Sequence, residues 1–168
     1  MSFLDNPQFP LDSADQETLL IGQHECALIW KTQDGWPVGT MMTYLWRDNK
    51  IWMTCGGQRP RVAAIRRDGR VCVIVTGQAP GNASVAVTIK GRCQLHEDAA
   101  TKRWYFGHLA HMAFPDSESA RQGMLDLLSS PDRVVLSVTV EKRFSYDGAK
   151  MAQALMSSVS GAFLEGGR

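Results

Sequence analysis

Thr54-Cys-Gly-Gly-Gln-Arg59-Pro-Arg61 is the stretch of this 168-residue chain best equipped for chemistry. A strand ending in threonine, a glycine break and two arginines at the entrance to a helix make a receptive place for a phosphate. The first turn of a helix offers unpaired backbone N–H groups and the positive end of its dipole. Arg59 and Arg61 can add charge-assisted, bidentate hydrogen bonds, and Thr54 a hydroxyl. The same residues also suit a solvated helix cap, and their spacing alone does not separate the two readings. Elsewhere the familiar catalytic signatures are missing: no GxGxxG after a strand, no P-loop, no GxSxG elbow and no HExxH. No pair of acids stands out for general acid–base work. If the chain is an enzyme, a bound cofactor carries the reaction.

His108 and His111 stand three residues apart on one expected helix, a spacing that can bring two ligands to a metal. No third ligand lies near them in sequence, so solvated or partly packed histidines are preferred and no metal site is expected. Cys26, Cys55, Cys72 and Cys93 are spread singly, with no CxxC pair, and read as buried free thiols. The composition, 44% hydrophobic and 21% charged with a net charge of +1, is that of an ordinary globular protein and lacks the basic excess of a nucleic-acid binder. No apolar run approaches the ~20 residues needed to cross a bilayer. Met1 to Asp15 carries acids and prolines where a signal peptide needs basic and apolar segments, so a cytoplasmic location is expected.

The elements that must position these residues follow from periodicity and punctuation. Ser13, with Gln16 three residues on, reads as a capping box opening a helix that ends near Gly22. Glu25 to Lys31 reads as a strand running into the turn Gln33-Asp34-Gly35. Trp36 to Arg47 alternates, with Trp36, Val38, Thr40, Met42, Tyr44 and Trp46 on one face and Gly39, Met41, Thr43 and Leu45 on the other. Asp48-Asn49 turns the chain back into a strand, Ile51 to Cys55. Pro60 suits the first turn of a helix that Gly69 stops. Val71, Val73 and Val75 form one face of the next strand. Along Asn82 to His96, Val85, Val87, Ile89, Cys93 and Leu95 oppose Ala86, Thr88, Lys90, Arg92 and Gln94. Asp98 caps a helix carrying Trp104, Tyr105, Leu109 and Met112. A second helix follows Pro115-Asp116, and Pro131 ends it. Val134 to Phe144 is a closing strand, and Ala149 to Phe163 an amphipathic helix. The expectation is one domain over residues 1–168, α+β but mainly β, an antiparallel barrel with flanking helices.

The run Asp34-Gly-Trp-Pro-Val-Gly-Thr-Met-Met-Thr-Tyr-Leu-Trp, then Lys50-Ile-Trp-Met-Thr54, then Arg59 to Val75, then Thr88-Ile-Lys-Gly-Arg92, resembles the pyridoxamine-phosphate-oxidase-like split-barrel flavoproteins. The likeness covers Cys26 to Asp98 and rests on the order of the pieces. It implies a split β-barrel and a homodimer with flavin mononucleotide (FMN) in a groove between the barrels. The phosphate then rests on Thr54, Arg59 and Arg61. The ring lies along Val38 to Thr43, with backbone groups of Gly39, Thr40 and Met41 at its polar edge. Thr88 and Lys90 are the next residues to line the groove, although Lys90 also reads as a solvated strand lysine. Trp104 or the segment around Lys150-Met151 can serve the second subunit's site, although Trp104 reads more simply as core. The true oxidase has Arg and Lys at the positions of Val38 and Thr43, a Gln near Ala86, and a different tail from Gly161 to Arg168. Pyridoxamine phosphate is therefore not the expected substrate.

Three functions remain in view: an FMN-dependent oxidoreductase served by a nicotinamide or organic donor, a reductase using deazaflavin F420 in the same groove, and a protein that binds flavin or haem without turnover. Trp30, Trp36, Trp46 and Trp52 on the meander are either a flat apolar wall, suited to a dimer interface or substrate shelf, or core packing.

Overall fold

The computed structural model describes the backbone of residues 9–165 and the side chains of residues 9–157 apart from Pro80. The outermost residues of the acidic N-terminus and of the Gly161–Arg168 tail lie outside the described residues. Seven strands form one antiparallel sheet: β1 (Glu25–Lys31), β2 (Pro37–Thr43), β3 (Leu45–Arg47), β4 (Lys50–Gly56), β5 (Arg70–Gln78), β6 (Ser84–His96) and β7 (Arg133–Asp147). Their order across the sheet is β2-β1-β5-β6-β7-β4-β3. The sheet curls until β2 and β4 meet, which makes a split barrel. Five helices flank it: α1 (Ser13–Gly22), α2 (Pro60–Arg67), α3 (Ala99–Ala113), α4 (Glu118–Leu128) and α5 (Gly148–Glu165).

The alternation read from the sequence sets the two faces. Cys26, Leu28, Met42, Ile51, Met53, Val73, Val75, Val87, Ile89, Leu136 and Val138 point inward and are buried. Leu19 and Leu20 of α1 and Val62 and Ile65 of α2 join the same cluster. Tyr44 has no exposed surface and donates its hydroxyl to Leu20 O at 2.8 Å, so its polar tip is satisfied inside the barrel. Both hairpins have the expected turn chemistry. Gly35 takes φ +94° between β1 and β2, and Asp48 and Asn49 take φ 53° and 56° between β3 and β4, as a two-residue primed turn requires.

Several expectations need correction. Ser13 is the first helical residue and Asp12 stands at the N-cap without a side-chain bond. Gln16 instead donates to Leu11 O and Ser145 Oγ, tying α1 to β7, so tertiary contacts displace the capping box. The Trp36–Arg47 strand breaks at Tyr44 into β2 and β3. Helix α4 ends at Leu128, before Pro131. The four tryptophans form no common wall. Trp30 and Trp46 pack on the barrel interior, Trp52 joins a second cluster under α3, and Trp36 is 70% exposed at the hairpin tip. Cys26, Cys55 and Cys93 are buried thiols as expected, whereas Cys72 is half-buried on the outer face.

Candidate functional site: the open outer face

Cross-strand partners share a face, so the register assigns every outward residue to a row across the sheet. Met41, Ala27, Ile74, Thr88 and Phe144 form one row through β2, β1, β5, β6 and β7. Gly39, Ile29, Cys72, Lys90 and Lys142 form the next. The structure thus brings Gly39, Met41 and Thr43 onto one face with Thr88 and Lys90, but two strands stand between the groups. Ala27, Ile29, Cys72 and Ile74 fill that interval and make the floor. Sequence reasoning missed them because alternation reveals faces and not neighbours. Gly39 matters here through its missing Cβ, which would sit 3.0 Å from Ile29 Cγ1, so Ile29 lies across β2 at that point. Val38 and Thr40 take the opposite side of β2 from Gly39 and Met41, yet Val38 is 40% exposed at the sheet edge and Thr40 half-buried. Because β2 ends the sheet, its outer edge presents N–H and C=O groups with no ladder partner.

Continuing the β3–β4 register from Leu45↔Trp52 sets Thr43 abreast of Thr54, at the seam of the barrel. Thr54 donates its hydroxyl to Val134 O at 2.8 Å, which leaves the oxygen able to accept but spends its proton. Arg59 is the N-cap residue of α2 and is exposed, and no side chain caps the helix. Arg61 is the second residue of the helix, in its first turn, with its Nε buried and without a partner. Arg133 was not anticipated. It lies opposite Gly56 at the start of β7 and also buries an unpartnered Nε. The β4–α2 loop approaches that strand closely: Gly57 N donates to Asp132 O at 2.6 Å, and a Cβ on Gly57 would stand 2.6 Å from the same oxygen. Only glycine fits there. Arg61 of α2 and Arg133 of β7 thus flank this loop with unspent Nε donors, beside an uncapped helix N-terminus.

Under α3 and beside it the outer face is already engaged. Trp104 packs edge-on to Trp52 with ring centroids 4.8 Å apart. His108 accepts from Arg47 Nη1 at 2.7 Å through Nε2, so its Nδ1 carries the proton and donates to Trp104 O. That accounts for His108 without a metal. Among the described residues no cluster of His, Cys, Asp and Glu can hold one. His96 meets Ser137 Oγ at 2.8 Å, and burial and nearby Lys50 keep its pKa below the ordinary value despite Asp98. Burial raises the Cys72 thiol more than Lys90 lowers it, so it is no ready thiolate. Lys90 holds its ammonium 5.2 Å over the Phe144 ring.

Fold and groove define a split barrel whose outer face ends in an anion-receptive corner. The family model of pyridoxamine 5'-phosphate oxidase matches residues 25–146, and the chain belongs to the pyridoxamine-phosphate-oxidase-like family. No curated protein sequence matches it significantly. Among solved structures it is similar to the conserved hypothetical protein Rv2991 of Mycobacterium tuberculosis, with a TM-score of 0.75 and 17% identity, covering 88% of this chain and 91% of that one. A FAD-binding protein of Mesorhizobium loti superposes with a TM-score of 0.61 at 18% identity, over 80% of this chain and 92% of that one. The haem storage protein HutZ of Vibrio cholerae does so with a TM-score of 0.60 at 10% identity, over 81% and 94%. At these identities the likenesses establish the fold. Among the described residues, no helix is long and apolar enough to cross a membrane.

Proposed function

We propose that this chain binds FMN on the open outer face of its sheet, between two copies of itself, and is a flavin-dependent oxidoreductase. One observation carries the reading: the uncapped α2 N-terminus stands beside Arg61, whose buried Nε has no partner. A phosphate is acceptor-only, and buried donors without partners are the groups it satisfies. Arg59 completes the cradle, and Thr54 joins it once its hydroxyl turns from Val134 O to the phosphate. The exposed backbone edge of β2 suits the polar rim of the ring, and the trough over Ala27 and Ile74 its flat body. Membership of the family and a FAD-binding relative of the same fold support flavin as the cofactor.

Bound there, the flavin supplies reversible two-electron chemistry, and the protein supplies position and electrostatics. Arg59 and Arg61 neutralise the phosphate and fix the register. Lys90 offers positive charge on the floor, held in place over Phe144. The apolar row from Met41 to Phe144 excludes water, and a second copy completes the enclosure. Val38 and Thr43 stand where the true oxidase has Arg and Lys, which argues against pyridoxamine phosphate as substrate and in favour of a nicotinamide or other organic donor.

An absorption spectrum of the purified protein, before and after addition of FMN, tests this, with an Arg59→Ala/Arg61→Ala double variant alongside. The expected result is a flavin spectrum whose affinity falls about tenfold or more in the variant, as the loss of charge-assisted phosphate bonds demands. No flavin binding at micromolar concentrations overturns the reading, and F420 or haem, the latter by its Soret band, becomes the cofactor to test.

A further inference from the structure

A buried N–H donor needs an acceptor, and among the described residues two side-chain nitrogens lack one, Arg61 Nε and Arg133 Nε. The proposed flavin phosphate answers for Arg61. Arg133 is left over. It opens β7 opposite Gly56, and its backbone N–H donates to Ser130 O at 3.1 Å, which holds it in a tight turn. Asp132 O accepts from Gly57 N in the same turn, so the turn and the β4–α2 loop are pinned together. Gln58 bends its amide back into the space that a Cβ on Gly56 would take, over the strand pair that Arg133 begins.

A polar cavity of about 500 Å³ opens between this turn, the loop and the first turn of α3. Its charges come from Arg66, Glu97, Lys102, Asp132 and Arg133. Arg66 and Glu97 are bonded to each other and cancel. Lys102 and Arg133 then stand against Asp132, a surplus of one positive charge. Lys102 spends one of its three donors on Pro131 O at a long 3.4 Å and is readily released. The wall includes none of Thr54, Arg59 and Arg61, and no residue of β1, β2 or β5. The cavity shares Gly57 and Gln58 with the phosphate corner, then runs the other way to Arg66 near the C-terminus of α2. Seven residues of helix, about 10 Å, separate Arg66 from Arg59.

We infer that this cavity binds a sugar phosphate, its phosphate on Arg133 and Lys102 and its hydroxyls on Glu97, Asp132 and Gln58. Two cations suit a phosphate dianion, and a guanidinium fork matches its oxygens in pairs. Carboxylates and an amide oxygen accept from hydroxyls, which gives the acidic residues of the wall a use that a bare anion does not. No aromatic ring lines the cavity to stack on a base, and its volume suits a small organic molecule. The site stands on its own geometry and needs no part of the flavin reading.

Isothermal titration of the full chain with glucose 6-phosphate, glucose and inorganic phosphate tests it. The ester is expected to bind about tenfold or more tightly than glucose or phosphate, because it alone engages both kinds of wall. Its affinity should fall as salt rises. Arg133→Gln should weaken the ester about tenfold or more. Arg133 is half-buried, so Lys102→Gln serves as the companion variant. It should weaken the ester too, while the melting temperature stays within a few degrees. Arg59→Ala/Arg61→Ala, and saturation with FMN, should leave the ester's affinity unchanged. The inference is overturned if the ester does not bind at millimolar concentrations or binds no better than inorganic phosphate. It is equally overturned if Lys102→Gln has no effect or if FMN displaces the ester. FMN absorbance recorded on the same samples keeps the two readings apart. Ester binding without flavin upholds this site and sinks the flavin proposal, and flavin without the ester does the reverse.

Discussion

The outer face of the sheet is finished in two opposite ways. Over β3, β4 and the first residues of β7, helices α3 and α4 cover it. Val135 there has no exposed surface, and it packs with Tyr105, Phe106, Leu109 and Leu128, against which Trp52 also lies. Over β2, β1 and β5 it is open, and at the end of β7 only α5 reaches it, where Tyr146 donates its hydroxyl to Met151 Sδ at 3.2 Å. Met41 there is 60% exposed and Tyr146 37%. The single strand β7 passes through both halves. The contrast teaches that an apolar outward residue means packing in one half and an unfilled contact in the other. A bare sheet face lined by Met, Ile and aromatic side chains is the contact surface on which the proposed cofactor and second copy can be tested.

Aspartate substitutions break the comparison most forcefully. Val135→Asp buries an unpaired carboxyl in the covered half and should cost about 3 kcal/mol or more, or abolish folding. Ile74→Asp in the open half should change urea stability by about 1 kcal/mol or less, because its charge can reach solvent. If a second copy docks on that face, sedimentation will show Ile74→Asp as a monomer. Equal losses of stability would mean that the open half is packed after all. At the next scale, Asp98 accepts from Thr101 N at 2.8 Å at the start of α3. Asp98→Ala should cost about 1 kcal/mol in the same melts and loosen the covered half alone.

The smallest effect is a pH dependence. Burial holds His96 below its ordinary pKa, so the unfolded chain binds the proton more readily than the folded one. The stability this contributes is complete above the unfolded value of about 6.5 and is lost as pH falls through the folded pKa. His96→Gln should flatten the decline of melting temperature on the acid side of that window. An unchanged slope would show that His96 takes no part in it.

Much of this was legible from residues alone, because alternation depends only on the strand's two-residue period. The alternation along β2, β5 and β6, the Asp48-Asn49 turn and the Asp98 cap follow from local chemistry. The capping box at Ser13 failed because Gln16 found better partners on β7, a contact that sequence neighbours do not announce. Ala27, Ile29, Cys72, Ile74 and Arg133 escaped notice for a related reason. Each is unremarkable in its own strand and gains meaning from the strand beside it.

By itself the sequence determined where most strands run, how side chains alternate along β2, β5 and β6, where the hairpin turns fall and to which family the chain belongs. Those properties are encoded within a few residues. The tertiary structure alone decided that β5 lies between β1 and β6, that Arg70 faces Arg92 and Lys90 faces Lys142, and that α3 and α4 cover one half of the sheet while the other stays open. Strand order and register join residues far apart in the chain, and their balance of burial and repulsion exists only once the sheet has closed.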